Sequence, residues 1–225
     1  MEDVLNNPVW YALNTHNAKL AYGFDNAKYF NTDVSPFIGL RDNDIDHFDQ
    51  LYPVLNEGRI CLLASTVLLD IPAKWTTIAF VPGVQMVHNN IKIPALDFHP
   101  LKPLSESNCA DMLALTQLTN PGPFGNNTIQ FGHYEGIFDD GNLVAMAGQR
   151  MHVPGYAEIS AVCTHPDFTS KGYARQLLIS QINRIILTGE TPFLHCRSDN
   201  KRAIQLYNSL GFSERSAMHF YILKK

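Results

Sequence analysis

The chain has 225 residues, 45% of them hydrophobic and 17% charged, which suits one large domain or two small ones and excludes both a three-domain chain and a wholly disordered one. Lys plus Arg number 17 against 21 Asp plus Glu, a net charge of -4 and the wrong sign for a surface that grips nucleic acid. The balance is uneven: residues 151–225 hold 9 basic and 5 acidic side chains, against 8 and 16 in residues 1–150, so either a small anion is drawn to the C-terminal third or the surface is simply unevenly charged.

The opening Met-Glu-Asp-Val carries no basic stretch followed by an apolar core, and no run of about 18 apolar residues occurs. A cytoplasmic protein with no membrane partner is expected. Val9 to Leu20 has helical character, Arg59 to Asp70 reads as one or two short strands, and Thr76 to Val81 as another. The prolines of Ile93 to Pro103 withhold backbone donors and hold their predecessors extended. They place a domain boundary near residue 95, with residues 1–95 an N-terminal α/β region that has no chemical motif of its own.

Residues 96–225 carry sharper signals. Ser105 is a plausible N-cap for a helix to Thr119, with Cys109, Met112, Leu113, Leu115 and Leu118 on its apolar side. Asn120 to Asn127, rich in Pro, Gly and Asn, is a loop. Tyr134 to Phe138 and Leu143 to Met151 flank Asp139-Asp140-Gly141-Asn142 and predict an antiparallel hairpin. Ala157 to Thr164 is a third strand, ended by Pro166. Tyr173 to Leu187 keeps one helical face apolar for four turns. Pro192 to Cys196 is a short strand, Asp199 or Ser198 caps a further helix bearing Ala203, Ile204, Tyr207 and Leu210 on one face, and Gly211 ends it in the left-handed region. Phe212 to Leu223 completes the sheet. The four cysteines, Cys61, Cys109, Cys163 and Cys196, form no C-x-x-C pair, and the nine histidines form no H-E-x-x-H, so no metal is expected and the thiols are expected reduced and mostly buried.

The informative segment is Val162 to Arg175: strand, proline, short loop, glycine, long amphipathic helix. A helix start behind a glycine-containing loop offers unpaired N–H groups and the positive end of the macrodipole to a phosphate, and Lys171 and Arg175 add charge. Taken alone, the segment serves equally as an ordinary strand-to-helix turn. It is neither a Walker loop nor G-x-G-x-x-G.

Ser198 to Phe212 supplies the second signal. Asn200, Ala203, Tyr207, Gly211 and Phe212 fit N-x-x-A-x-x-x-Y-x-x-x-G-F, and Gly172 and Ala174 fit the end of Gln/Arg-x-x-Gly-x-Gly/Ala, with Thr169 where the family prefers Gln or Arg. Together these residues resemble the coenzyme-binding core of the GNAT superfamily of acyl-CoA-dependent N-acyltransferases, over roughly residues 96 to 225. The run Glu158 to Pro166 looks most like the glycine N-acyltransferase-like branch. The resemblance implies a mixed α and β fold, a GNAT core with a central, mostly antiparallel sheet flanked by helices, preceded by the N-terminal region. It implies acetyl-CoA as cosubstrate and acetyl transfer to a primary amine of a small molecule, amino acid or peptide. Backbone groups of Val162 and Thr164 would pair with the pantetheine arm, Thr169, Ser170, Lys171, Gly172, Tyr173 and Ala174 would hold the pyrophosphate beside Arg175, and Asn200 would meet the pantetheine or acyl region. An N–H near Val162 would face the thioester oxygen, and Tyr207 would protonate the departing thiolate.

The amine must lose a proton, and Glu158 is the candidate base, because period-two alternation sends it to the same face as Ser160 and Val162. A buried strand cysteine is the reading for Cys163, since no basic partner activates it. The rival function is a catalytically silent acyl-CoA-binding sensor in which Tyr207 only packs. No nucleic-acid partner is expected, and a homodimer is left open. The N-terminal region is expected to pack on the transferase core and wall the acceptor cleft with acidic side chains.

Overall fold

Asn7 accepts a hydrogen bond from the Trp10 N–H at 3.4 Å, and Pro8 fills the first turn, where a missing donor costs nothing. The helix α1 (Pro8–Asn14) starts there. It stops short of Leu20 because Asn14 Nδ2 and Thr15 Oγ1 both bond to carbonyls one turn back, Trp10 O and Tyr11 O. Side chains of this kind compete with the backbone ladder. The computed structural model describes residues 3–96 and 99–225, so Asp97 and Phe98 of the Pro-rich stretch lie outside the described residues. After α1 come β1 (Ala21–Gly23), β2 (Ala27–Phe30), β3 (Phe37–Leu40), α2 (Phe48–Leu51), β4 (Ile60–Ser65) and β5 (Thr76–His88). Then follow β6 (Lys102–Pro103), α3 (Cys109–Thr119), β7 (Glu135–Asp139), β8 (Asn142–Val153), β9 (Tyr156–Thr164), α4 (Tyr173–Leu187), β10 (Thr191–Arg197), α5 (Lys201–Ser209) and β11 (Phe212–Lys224).

Among the described residues one sheet holds eleven strands in the order β1-β2-β3-β4-β11-β5-β10-β9-β8-β7-β6. Only β3–β4 and β9–β10 run parallel among these neighbours, as the expected mixed, mostly antiparallel fold requires. The β7–β8 hairpin turns through Asp140 (φ 46°) and Gly141 (φ 83°), the pair of left-handed residues that matches strand twist. On one face, α4 buries Leu177, Leu178, Ile182 and Ile185 completely, each worth about 1.5–3 kcal/mol relative to exposure. The other face packs against α1 through Val9, Leu13, Phe37, Met151 and Phe193.

β5 runs past Val81, where the sequence pattern ends it. Pro82 and Gly83 read as breakers, but β5 gains its second neighbour only at Gly83, which pairs with Arg197. Pro82 therefore sits just past the last rung with β10, where its carbonyl still accepts from the Ser198 N–H at 3.1 Å and its missing N–H breaks no rung. Gly83 is required for space: a Cβ there would come within 2.6 Å of the Phe220 ring and 2.9 Å of the Cys196 carbonyl.

The result is that a strand from the first 95 residues lies between β10 and β11 of the last third. The segment after β5 is fastened along α4 by two side-chain amides, Asn183 to the backbone of Ile93 and Gln176 to that of His99, each donating and accepting once. A polypeptide beginning at Leu96 loses β5 from between two of its strands. It is expected to show no cooperative thermal transition by circular dichroism, and a sharp two-state melt would show that residues 96–225 fold alone.

Candidate active site

β9 and β10 pair only from Tyr156↔Thr191 to Glu158↔Phe193. Beyond that, β10 follows β5 while β9 bends away. The bend has a local cause: Ala161 is left-handed (φ 52°) and the register with β8 slips between Met146↔Cys163 and Gly148↔Ser160. This is a bulge, which kinks a strand and re-aims its side chains. Val162 consequently joins Ile159 on the α4 side, while Ala161 and Cys163 pack toward α3. The expected shared face of Glu158 and Val162 is thereby corrected, because alternation breaks at the bulge.

The strands part around a cavity of about 730 Å³. Val162, Thr164, Thr169, Ser170, Gly172, Tyr173, Ala174, Arg175, Asn200 and Tyr207 all border it; of the expected site residues, Lys171 and Glu158 do not. Lys171 instead lays its Nζ over the Phe168 ring, 4.5 Å from the centroid.

At one end of the cavity lies the start of the 15-residue helix α4. Ser170 (φ 64°) and Gly172 (φ 84°) are left-handed on either side of Lys171. Alternating backbone handedness of this kind turns successive N–H groups into one concavity, a nest for an anion, and the helix dipole adds to it. Arg175 donates to Ser209 Oγ at 2.9 Å, and Arg202 reaches Ser170 Oγ at 3.5 Å, so two guanidinium groups flank the loop. A Cβ on Gly172 would meet nothing within 4 Å. Glycine is needed there for its φ, not for room. Gly172→Val is therefore expected to distort the nest, at roughly 1–2 kcal/mol for a side chain in the left-handed region, and to weaken CoA binding in calorimetry. Unchanged affinity in a folded variant would place the anion elsewhere.

Alongside that nest, α5 presents Asn200 and Tyr207 to the cavity. Asn200, not Asp199 or Ser198, caps the helix, its Oδ1 accepting from the Ala203 N–H at 3.2 Å. Asp199 is drawn off by Arg197 in a two-point ion pair. With its oxygen committed to the cap, Asn200 offers the cavity its amide donor. The Tyr207 ring meets Phe212 edge-on with centroids 6.1 Å apart. Burial pushes its phenol above the ordinary value of 10, with a smaller push from Cys196, so it stays protonated at neutral pH and able to donate. Thr164 Oγ1 is buried with no hydrogen-bond partner, a hydroxyl left for a ligand to satisfy. Burial raises the Cys163 thiol to about 11, which leaves it protonated and unsuited to attack an acyl group.

Glu158 belongs to a different arrangement. Its side chain is fully buried, its Oε2 accepts from Arg150 Nε (2.9 Å) and the Met151 N–H (3.1 Å), and its Oε1 from Arg150 Nη2 (2.5 Å). Oε1 also lies 2.7 Å from His195 Nδ1. Burial acts to raise this carboxyl, but the Arg150 guanidinium and His195 outweigh it and hold the group well below the usual carboxylate range. A carboxylate so held is a poor proton acceptor, and Glu158 does not border the cavity. The chain of contacts continues through Gln85, whose Oε1 accepts from Arg215 at 2.8 Å and whose Nε2 sits 3.0 Å from His195 Nε2. Gln85 therefore donates, which assigns His195 as the neutral tautomer with its proton on Nδ1, facing Glu158. Since Glu158↔Phe193 is the last rung between β9 and β10, the Glu158–His195 contact ties the two strands where they part.

The parted sheet, the nest at the start of α4 and the Tyr207 phenol on α5 thus border one cavity. The chain belongs to the GNAT family of acetyltransferases: it is 31% identical to a Novosphingobium aromaticivorans protein whose crystal structure is assigned to that family, with a TM-score of 0.92 over 100% of this chain and 99% of that one. Residues 134–221 match the family model described as FR47-like protein. Two more distant structures share the fold: a GCN5-related N-acetyltransferase from Kribbella flavida (12% identity, TM-score 0.62, 94% of this chain and 92% of that one) and a GNAT-family acetyltransferase from Colwellia psychrerythraea (14%, 0.54, 91% and 85%). No curated protein matches the sequence. Among the described residues no helix is long and apolar enough to cross a membrane.

Proposed function

We propose that the protein transfers an acetyl group from acetyl-CoA directly to a primary amine. The observation that carries the reading is the wedge between β9 and β10, which has the nest of Ser170 to Gly172 at one end and Tyr207 bordering it. Acetyl-CoA supplies an activated thioester carbonyl and a pyrophosphate. The nest and the start of α4 bind the pyrophosphate, with Arg175 and Arg202 beside it. The edge of β9 that β10 leaves unpaired beyond Glu158 accepts the pantetheine amides as a further strand would, through Val162 and Thr164. The Val162 N–H, re-aimed by the bulge, polarises the thioester oxygen as the tetrahedral centre forms. Tyr207 gives its proton to the leaving sulfur.

The amine approaches from the face that carries the Glu158–His195 pair. There the 3-10 turn Val4–Asn6 lies close, for Gln85 Nε2 donates to the Leu5 carbonyl and Arg215 reaches Asp3 and Asn6. That placement supports a role for residues 1–95 in walling the acceptor side of the cleft, beyond the strand β5 that they give to the sheet of residues 96–225; the resemblance to the glycine N-acyltransferase-like branch is part of the same proposal. Glu158 keeps the strands at their parting angle, and the proton that the attacking amine sheds passes to solvent water in the cleft. CoA release measured across a panel of small amines, amino acids and peptides tests the reading. Amine-dependent release lost in Tyr207→Phe supports it, while tight acetyl-CoA binding with no release for any amine leaves the sensor.

A further inference from the structure

At the closed end of the wedge, away from the nest, three side chains from distant parts of the chain converge. His16 lies in the turn after α1, His152 near the end of β8, and Glu190 just before β10. One ligating atom from each lies within 4.8 Å of the other two. His152 Nε2 is 2.6 Å from Glu190 Oε1, and the two imidazole rings touch with centroids 4.1 Å apart. We infer that His16, His152 and Glu190 bind a divalent zinc ion that clips the N-terminal segment to the transferase sheet.

The donor set is two imidazoles and one carboxylate without sulfur, which suits Zn²⁺ and leaves a fourth position for water. Donor atoms around a tetrahedral zinc stand about 3.3 Å apart at the usual bond lengths. The pair at 2.6 Å must open slightly and His16, which is exposed, must swing inward. Both moves are side-chain rotations, because the backbone is already in place. Asn17 Oδ1 accepts from the His152 N–H at 2.8 Å, fastening the turn that bears His16 to β8. Thr188 Oγ1, whose proton goes to the Ile185 carbonyl at 2.8 Å, lies 3.3 Å from the second oxygen of Glu190. The three residues are 136 and 38 positions apart, so no spacing motif announces them. Their place next to Tyr156↔Thr191, the first rung of the β9–β10 ladder, makes the ion a clasp at the paired end of the two strands and no party to the transfer.

The test titrates Zn²⁺ into the chelator-stripped full chain at neutral pH, by calorimetry with a parallel thermal melt. The expected result is one Zn²⁺ per chain and a Tm raised by about 5–10 °C at a hundredfold excess over Kd, with both effects lost in His16→Ala and in Glu190→Gln. His16 is exposed, so its variant keeps the fold, and its melt without zinc should match that of the parent. If the parent takes up no zinc, the contact is only an ion pair beside a stacked histidine. If the variants bind zinc as the parent does, the ion sits on the cysteines or elsewhere. Either outcome overturns the inference, and neither touches the acetyl-transfer reading, which CoA release measures separately.

Discussion

Tyr207→Phe is expected to lower kcat by about 100- to 10,000-fold, the usual cost of removing a general acid, while acetyl-CoA affinity stays nearly unchanged. That range equals about 2.7 to 5.5 kcal/mol of transition-state stabilisation. The substitution keeps the ring that meets Phe212 edge-on and deletes only the hydroxyl, so the fold and the α5 packing are preserved. Since burial keeps the phenol protonated well into the alkaline range, the loss should be the same at pH 6 and pH 8. A phenol that merely packs leaves kcat untouched. Single-turnover kinetics with acetyl-CoA and the best amine distinguish the two, provided chemistry limits the rate.

The residues that bear on that test were the legible ones. The α4 and α5 helices announce themselves by apolar spacing, and the loop Thr169 to Gly172 by its glycine before a helix, so local pattern is enough to find the anion end and the phenol. β1, β2 and β3 left no such trace: they are three or four residues long, too short for alternation to rise above background. The end of β5 was hidden for another reason, since Pro82 is a breaker only in a strand paired on both sides. The Ala161 bulge is a backbone event opposite Ala147; Gly148 at its edge is the one local flag, and it answers equally to the Tyr134 ring, which a Cβ there would strike. His195 was invisible as a partner of Glu158, because the register between two parallel strands joined by a helix is set by packing and not by a turn. Arg150 was hidden in the same way. Counting back from the turn at Pro154-Gly155 pairs Glu158 with Met151 and sends Arg150 to the opposite face, so the ion pair becomes visible only with the second register shift, between Gln149↔Ile159 and His152↔Ala157.

That pair carries the second large effect. Glu158→Gln is expected to destabilise the protein by about 3–5 kcal/mol, because it leaves the Arg150 guanidinium charged and unpaired in a dry site. Gln is close in size and can still accept one hydrogen bond, so the cost reflects lost charge more than a cavity. Against a total stability of about 5–15 kcal/mol, the variant sits near the edge of folding at 37 °C. Arg150 also stacks over Phe37, 4.8 Å from its ring centroid, which ties β8 to β3 in the N-terminal region; the loss should therefore loosen both halves of the sheet. The sign of the pH dependence follows from the depressed carboxyl. Its folded value lies below the ordinary 4.5, so the stabilisation is fully present above about pH 5 and is lost as pH falls through the folded value. Urea unfolding of parent and variant should thus differ by a constant amount from pH 8 to pH 5 and converge in stronger acid. The double variant Arg150→Met, Glu158→Leu should recover part of the loss, since an apolar pair leaves no charge buried. A Glu158→Gln protein as stable as its parent at pH 7 would show that the bidentate pair contributes nothing to holding β8 and β9 where the wedge begins.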